Sequence, residues 1–302
     1  MDMQIPLSVQ GVSKSFGGGF DLSRLLPWRR NGRPAKSGPR RVVDDVTFDV
    51  ERGEIFGVIG ANGSGKSTLI RIISTLLLAD EGGVRVFGFD AVRNAMQVRA
   101  MINRVSADPS FFRNMSALEN LMFFGRVYGL TPAQIKSRTP VILGRLGMEW
   151  PRALEPMSHL SRGQQQKIAV GRAFLTSPVL MLLDEPTTGL DPRSKHDVQA
   201  FIREVQQAHD ATILLTTHDM DEAELLCDRI AFLSGGKIVA FGTPLQLRQM
   251  VADGRPLDEI NMETVFMELT GRSVEEDELE EEEGQPVAAG IARDRDKEGN
   301  GP

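Results

Sequence analysis

The chain has one cysteine, Cys227, which excludes an intrachain disulfide framework and fits a reducing compartment. Within the helix-like run Glu222–Asp228 it reads as a small buried hydrophobe rather than a reactive thiol. Long apolar runs are also missing. The densest, Val179–Leu183, is far short of the roughly 20 residues needed to cross a bilayer. Met1–Gln10 has no basic segment followed by an apolar one, so no secretory signal is expected. The chain has no internal repeat, which argues for one functional unit.

An excess of positive charge is absent as well. The net charge is −6, and it is unevenly placed. Arg272–Pro302 carries 4 basic and 11 acidic residues, leaving 31 basic against 30 acidic in the body to Gly271. A near-neutral body lacks the basic face of a nucleic-acid binder, so no nucleic-acid partner is expected. The run Glu275–Glu283 and the Gly, Pro and mixed-charge stretch after it have almost nothing to bury, so residues 272–302 read as an acidic, disordered tail.

What is present is a strong pattern of short strands and helices. Ile5–Phe16 and Val42–Val50 alternate apolar and polar residues, as half-buried antiparallel strands do. Between them, Gly17–Arg41 holds three consecutive glycines and seven Lys or Arg against one acid, with Phe20, Leu25, Leu26 and Trp28 interspersed. It reads as a basic insertion, either a solvated loop or one that touches lipid or a membrane subunit. After Gly53 the apolar runs Ile55–Ile59, Val179–Leu183 and Ile213–Thr216 do not alternate, and each precedes a helical pattern. That is the mark of an α/β fold with a parallel sheet covered on both faces. A mostly helical stretch, residues 108–176, interrupts it. Its helix starts are legible in the capping box Ser116-Ala117-Leu118-Glu119 and in Thr131-Pro132. Asp191-Pro192 starts another helix towards Ala208, and residues 243–271 read as C-terminal helices closing a domain that spans 1–271.

The chemistry is concentrated in a few motifs. Gly60-Ala61-Asn62-Gly63-Ser64-Gly65-Lys66-Ser67 is an uninterrupted G-x-x-x-x-G-K-[ST] between a strand and a helix that continues with Thr68, the context a phosphate-binding loop requires. Its glycines let backbone N–H groups face a phosphate, and the helix N-terminus adds partial positive charge. Lys66 is placed to reach the β and γ phosphates and Ser67 to offer its hydroxyl to Mg²⁺. A buried strand ending in Asp184-Glu185 would set Asp184 beside that loop as a second Mg²⁺ holder, with Glu185 facing the attacking water.

With these motifs the chain resembles the ATP-binding cassette family over about Leu7 to Thr270. Leu160-Ser161-Arg162-Gly163-Gln164 is similar to the family signature, with Arg162 in place of the more frequent glycine, and starts a helix 23 residues before Asp184. Thr188-Gly189-Leu190-Asp191 resembles the loop after the carboxylate strand, and His218 matches the switch histidine. The resemblance implies an ABC-type P-loop fold: a mostly parallel core sheet, an antiparallel β subdomain and a helical subdomain. It implies that ATP is bound by Phe16, stacked on adenine (Phe20 as fallback), by the loop from Gly60 to Thr68, and by Ser161, Gly163, Gln164 and Asp191. It also implies Mg²⁺ on Ser67 and Asp184, and hydrolysis by Glu185, His218 and Lys66. Because Ser161 and Gly163 lie on the helical part, the resemblance implies that they close on a second copy's γ-phosphate. The partners it implies are therefore that second copy and a separately encoded membrane permease, which would place the chain on the cytoplasmic face of the membrane. The tenor of Phe56-Gly57, Ser74–Leu78 and Phe241-Gly242-Thr243-Pro244 is similar to type-2 exporter ATPases.

In one place the family pattern fails. The stretch Ile102-Asn103-Arg104-Val105-Ser106-Ala107-Asp108-Pro109 has Ala107 nearest the place of a glutamine that contacts Mg²⁺, with Asp108, Ser106 or a water as substitutes. Just beyond it, Phe111, Phe112, Met115, Met122, Phe123 and Phe124 read as core, with some of them a groove for a membrane-subunit helix. The alternatives of a DNA- or ribosome-directed ABC ATPase, a GTPase, and a regulatory subunit with a dead site each lack their own marks. The first two would show tandem cassettes or a coiled coil, and an Asn-Lys-x-Asp element; the third rests on Ala107 alone.

Overall fold

The computed structural model describes residues 5–17, 39–176 and 178–271. Most of the basic insertion, including Phe20, and the acidic tail lie outside the described residues. Two sheets organise the rest. Strands β1 (Leu7–Phe16) and β2 (Arg40–Val50) pair antiparallel, as their alternation predicts, and β4 (Glu81–Val86) and β5 (Phe89–Asp90) extend them into a four-stranded sheet ordered β2-β1-β4-β5. The second sheet is ordered β10-β9-β3-β8-β7-β6, from β3 (Ile55–Ile59), β6 (Ile102–Val105), β7 (Leu180–Asp184), β8 (Thr212–Thr217), β9 (Arg229–Ser234) and β10 (Lys237–Gly242). Its pairs are parallel except for β9 with β10. Val179, expected inside β7, lies outside it and is exposed.

The non-alternating runs are explained by which face each residue takes. Ile55, Ile59, Met181, Leu183, Ile213 and Leu215 join one core, while Phe56, Val58, Leu180, Leu182 and Leu214 join another. Every position of β3, β7 and β8 is therefore buried. The first core is closed by helices α6 (Arg162–Phe174), α7 (Pro192–His209), α8 (Met220–Leu226) and α10 (Met262–Thr270). The second is closed largely by the antiparallel sheet, with α1 (Lys66–Ile73) and α2 (Ala95–Met101) between the layers. Cys227 is buried at the end of α8. Burial pushes its thiol well above the ordinary range, which keeps it protonated, as the sequence suggested.

The helical part has its own core of Ala117, Leu121, Leu143, Met148, Ala153, Met157, Leu160 and Ile168. It is built from α3 (Ala117–Val127), α4 (Pro132–Arg145), α5 (Trp150–Ala153), a 3-10 turn at Met157–His159 and α6. The expected starts are present as capping boxes at Ser116 and Thr131, each supplying one oxygen to an orphan backbone N–H. The aromatic run after β6 is only partly core: Phe112 and Phe123 are 46% and 45% exposed. Helix α9 (Pro244–Val251), a turn at Leu257–Glu259 and α10 end the described residues.

Candidate nucleotide site

The phosphate-binding loop bridges the C-terminal end of β3 and the first turn of α1. Two glycines are sterically required there. A side chain on Gly60 would stand 2.1 Å from the carbonyl of Leu233, and one on Gly65, whose φ is +109°, 2.5 Å from that of Val42. Asn62 and Gly63 are exposed at the loop tip, Ser64, Gly65 and Lys66 are buried, and Ser67 and Thr68 are half-buried. The Lys66 ammonium donates to the carbonyls of Gly60 and Ala61 at 2.7 and 2.8 Å and lies 3.4 Å from Glu185 Oε1. The hydroxyl of Ser67 donates to Asp184 Oδ1 at 3.0 Å, and Thr216 donates to the same oxygen at 2.9 Å.

Asp184 ends β7 with its side chain inside the sheet, and Glu185 turns out of it at a φ of +50°. For a non-glycine residue this is an uncommon conformation, and such conformations cluster at functional sites. The turn directs the Glu185 carboxylate to three partners: Lys66, the hydroxyl of Thr188 at 3.0 Å and His218 Nδ1 at 3.4 Å. Burial works to raise its pKa, but the hydrogen bond from His218, the Lys66 charge and Thr188 outweigh it and hold the carboxyl down at about 2. It is ionised at any physiological pH. His218 reaches it because β8 ends at Thr217, one residue earlier.

The residues fit a magnesium ion. Mg²⁺ takes hard oxygen ligands in an octahedron, in which neighbouring ligands stand about 3 Å apart. Ser67 Oγ and Asp184 Oδ1 offer that pair at 3.0 Å. Among the described residues no group of three or more His, Cys, Asp or Glu could hold a metal by itself.

Other expected site residues lie elsewhere. Ser161 is the N-cap of α6, its hydroxyl accepting from Gln164 N, while Gln164 Oε1 accepts from Ser161 N at 3.0 Å. The Gln164 side chain is thereby used in the cap. Gly163 is buried near Ser194 and Asp191. Asp191 caps α7 through Ser194 N. Phe16, 44% exposed, pairs with Arg40, close in sequence to the Val42 carbonyl that abuts Gly65. The substitutes for the missing glutamine do not converge on the carboxylates: Asp108 is exposed and Ser106 Oγ accepts from Arg104 at 3.4 Å. The residue of this stretch that does reach the site is Arg104, whose Nη2 lies 3.1 Å from Asp184 Oδ2. The sequence reading missed it, although a cation between the apolar Ile102 and Val105 of a short run was a visible signal.

Residues 43–188 match the family model described as ABC transporter. The chain is 34% identical over 210 residues to the linearmycin resistance ATP-binding protein LnrL of Bacillus subtilis, covering 70% of this chain and 67% of that one. It is 36% identical over 203 residues to the ABC transporter ATP-binding protein NatA of the same organism, covering 67% and 82%. The chain belongs to the ABC transporter family. It is an ABC ATPase, an ATP-binding subunit of that family. The cassette is also 38% identical over 221 residues to a Nod factor export ATP-binding protein of Neorhizobium galegae, a match spanning 73% of the cassette but only 63% of the relative. Among solved structures it superposes on an ATP-binding subunit of an ABC transporter with a TM-score of 0.70 at 31% identity, covering 87% of the cassette and 99% of that chain. It shares its fold, at a TM-score of 0.67 and 22% identity over 78% of the cassette and 98% of the other chain, with a dimeric ATP-binding cassette bound to ADP and Pi.

Proposed function

We propose that the cassette drives an exporter, binding ATP with Mg²⁺ between two copies of itself and passing the work of dimerisation to a separate membrane permease on the cytoplasmic face. The observation that carries this reading is the convergence of Lys66, Glu185 and His218 beside the Ser67–Asp184 oxygen pair. In this reading Lys66 and the loop from Gly60 to Thr68 hold the phosphates, while Ser67 and Asp184 hold Mg²⁺, which supplies charge neutralisation when bound. With its carboxyl near 2, Glu185 orients and polarises the attacking water rather than storing its proton. His218, within reach of Glu185, registers the γ-phosphate. Phe16 stacks on adenine, and Asp191 belongs to the loop that meets the second copy. Export is supported by the names of two relatives, one a resistance protein and one an export protein.

The test is Glu185→Gln. It keeps the shape of the site but removes the charge that polarises water, so ATP should accumulate unhydrolysed and the variant should run as a dimer on a sizing column with ATP and Mg²⁺. A monomer under those conditions sinks the sandwich. Wild-type protein should also turn over ATP faster than Lys66→Ala; equal rates would remove Lys66 from the chemistry.

A further inference from the structure

Both oxygens of Asp184 are already engaged. Oδ1 accepts from Ser67 and Thr216, and Oδ2 faces Arg104 at 3.1 Å. Arg104 comes from β6, the strand next to β7 and in parallel register with it, and pairs with Leu182 two residues before Asp184. Its side chain is only 20% exposed, Asp184 is 3% exposed, and Arg104 Nε is buried without a hydrogen-bond partner. A guanidinium desolvated to that extent is costly to hold unless its charge is matched. Asp184 is the carboxylate that matches it.

Two features of the same strand and loop complement each other. At Ala107 the side chain that would add an oxygen is absent, and three residues earlier a permanent cation is aimed at the carboxylate that would share the ion. We infer that Arg104 is a resident counter-cation of the metal-binding carboxylate, held on Asp184 Oδ2, that competes with Mg²⁺ for Asp184 and raises the metal concentration the cassette needs. This rests on the reading of Asp184 as a metal holder. The consequence is a nucleotide site whose Asp184 charge is already balanced without metal. Nucleotide binding should then survive metal removal better than in a site that relies on the ion to offset that carboxylate. Arg104 is a positioning residue here; it acts through Asp184.

The experiment is a Mn²⁺ titration of the full-length protein with a non-hydrolysable ATP analogue, reading free Mn²⁺ by electron paramagnetic resonance. Analogue affinity in EDTA is measured alongside. Removing one positive charge a few ångströms from a divalent ion should lower the half-saturating Mn²⁺ about tenfold in Arg104→Leu. Arg104→Met should behave alike and guards against a folding failure of the first variant, while Arg104→Lys, which keeps the charge, should stay near wild type. Analogue binding in EDTA should weaken several-fold in Arg104→Leu. A half-saturating concentration that is unchanged or higher in both apolar variants overturns the proposal. Asp184→Asn separates this from the parent reading. If it raises the metal requirement while the Arg104 variants do nothing, only the counter-cation idea fails. If Asp184→Asn leaves the requirement alone, Asp184 is not a metal holder.

Discussion

Glu185 concentrates several competing effects in one side chain. Burial favours its protonated form, whereas His218, Lys66 and Thr188 favour the carboxylate and prevail, to a value of about 2 against an ordinary 4.5. A carboxyl whose pKa falls on folding stabilises the fold fully above its unfolded value. That stabilisation drains as pH falls from the ordinary value through the folded one. Wild type and Glu185→Gln should therefore differ most in urea unfolding at neutral pH, with the gap narrowing below the ordinary 4.5 and closing only as pH reaches about 2. A gap that stays constant over that window would mean that the three partners do not stabilise the charged form. The identities of Lys66, Ser67, Asp184, Glu185 and His218 were legible in the sequence because each is fixed by spacing from a motif or by a strand end. Arg104 was not, because its role arises from which strand lies beside β7, and β6 was too short and mixed to announce itself.

Elements whose ends carry specific side-chain chemistry were the legible ones. Ser116, Thr131 and Ser161 mark their helices because a hydroxyl and a partner three residues on make a local structure that needs no tertiary help. Strands β4, β5, β9 and β10 were not foreseen; they form two short hairpins, β4 with β5 and β9 with β10, whose place in the sheets is set by β1 and β3, far away in sequence. Helix α4 holds a case where local propensity loses outright: Pro140 lies inside it, exposed. Proline lacks the N–H for the i−4 carbonyl and crowds the preceding turn, so the helix persists there because Ile135, Thr139 and Leu143 are buried on its other face. Pro140→Ala should raise stability by about 1–3 kcal/mol, seen as a higher melting temperature. A lower one would mean that the proline fits a bend the packing requires. The junction between α6 and the loop after β6 is held by Arg172, which donates to the Ser110 carbonyl at 3.0 Å and lies 4.8 and 4.6 Å from the rings of Phe111 and Phe124. Arg172→Ala removes a cation over two aromatic faces and should cost about 1–2 kcal/mol in urea unfolding, with Arg172→Lys recovering part of it. No loss would make these contacts incidental.

At the scale of the whole molecule, the two halves of the proposed nucleotide site lie on different parts of one cassette. Its phosphate loop and carboxylates sit at the strand ends of the α/β core, whereas Ser161 and Gly163 open a helix whose first turns pack on the helical core through Leu160 and Ile168. If each nucleotide is held by the loop of one copy and the Ser161 end of the other, two different defects should complement each other. In the Glu185→Gln background, Lys66→Ala spoils the loop and Gly163→Arg spoils the opposing helix end, so neither variant alone should hold ATP as a dimer. A mixed dimer has one site with both defects and one with neither, because the symmetry of the pair exchanges loop and helix end between copies. Random mixing puts half of the pairs in that state, so about a quarter of the sites should retain labelled ATP in the dimer peak of a sizing column. If the mixture holds no more ATP than the separate variants, the two ends do not meet across the dimer, and the nucleotide would have to be closed by groups within one copy.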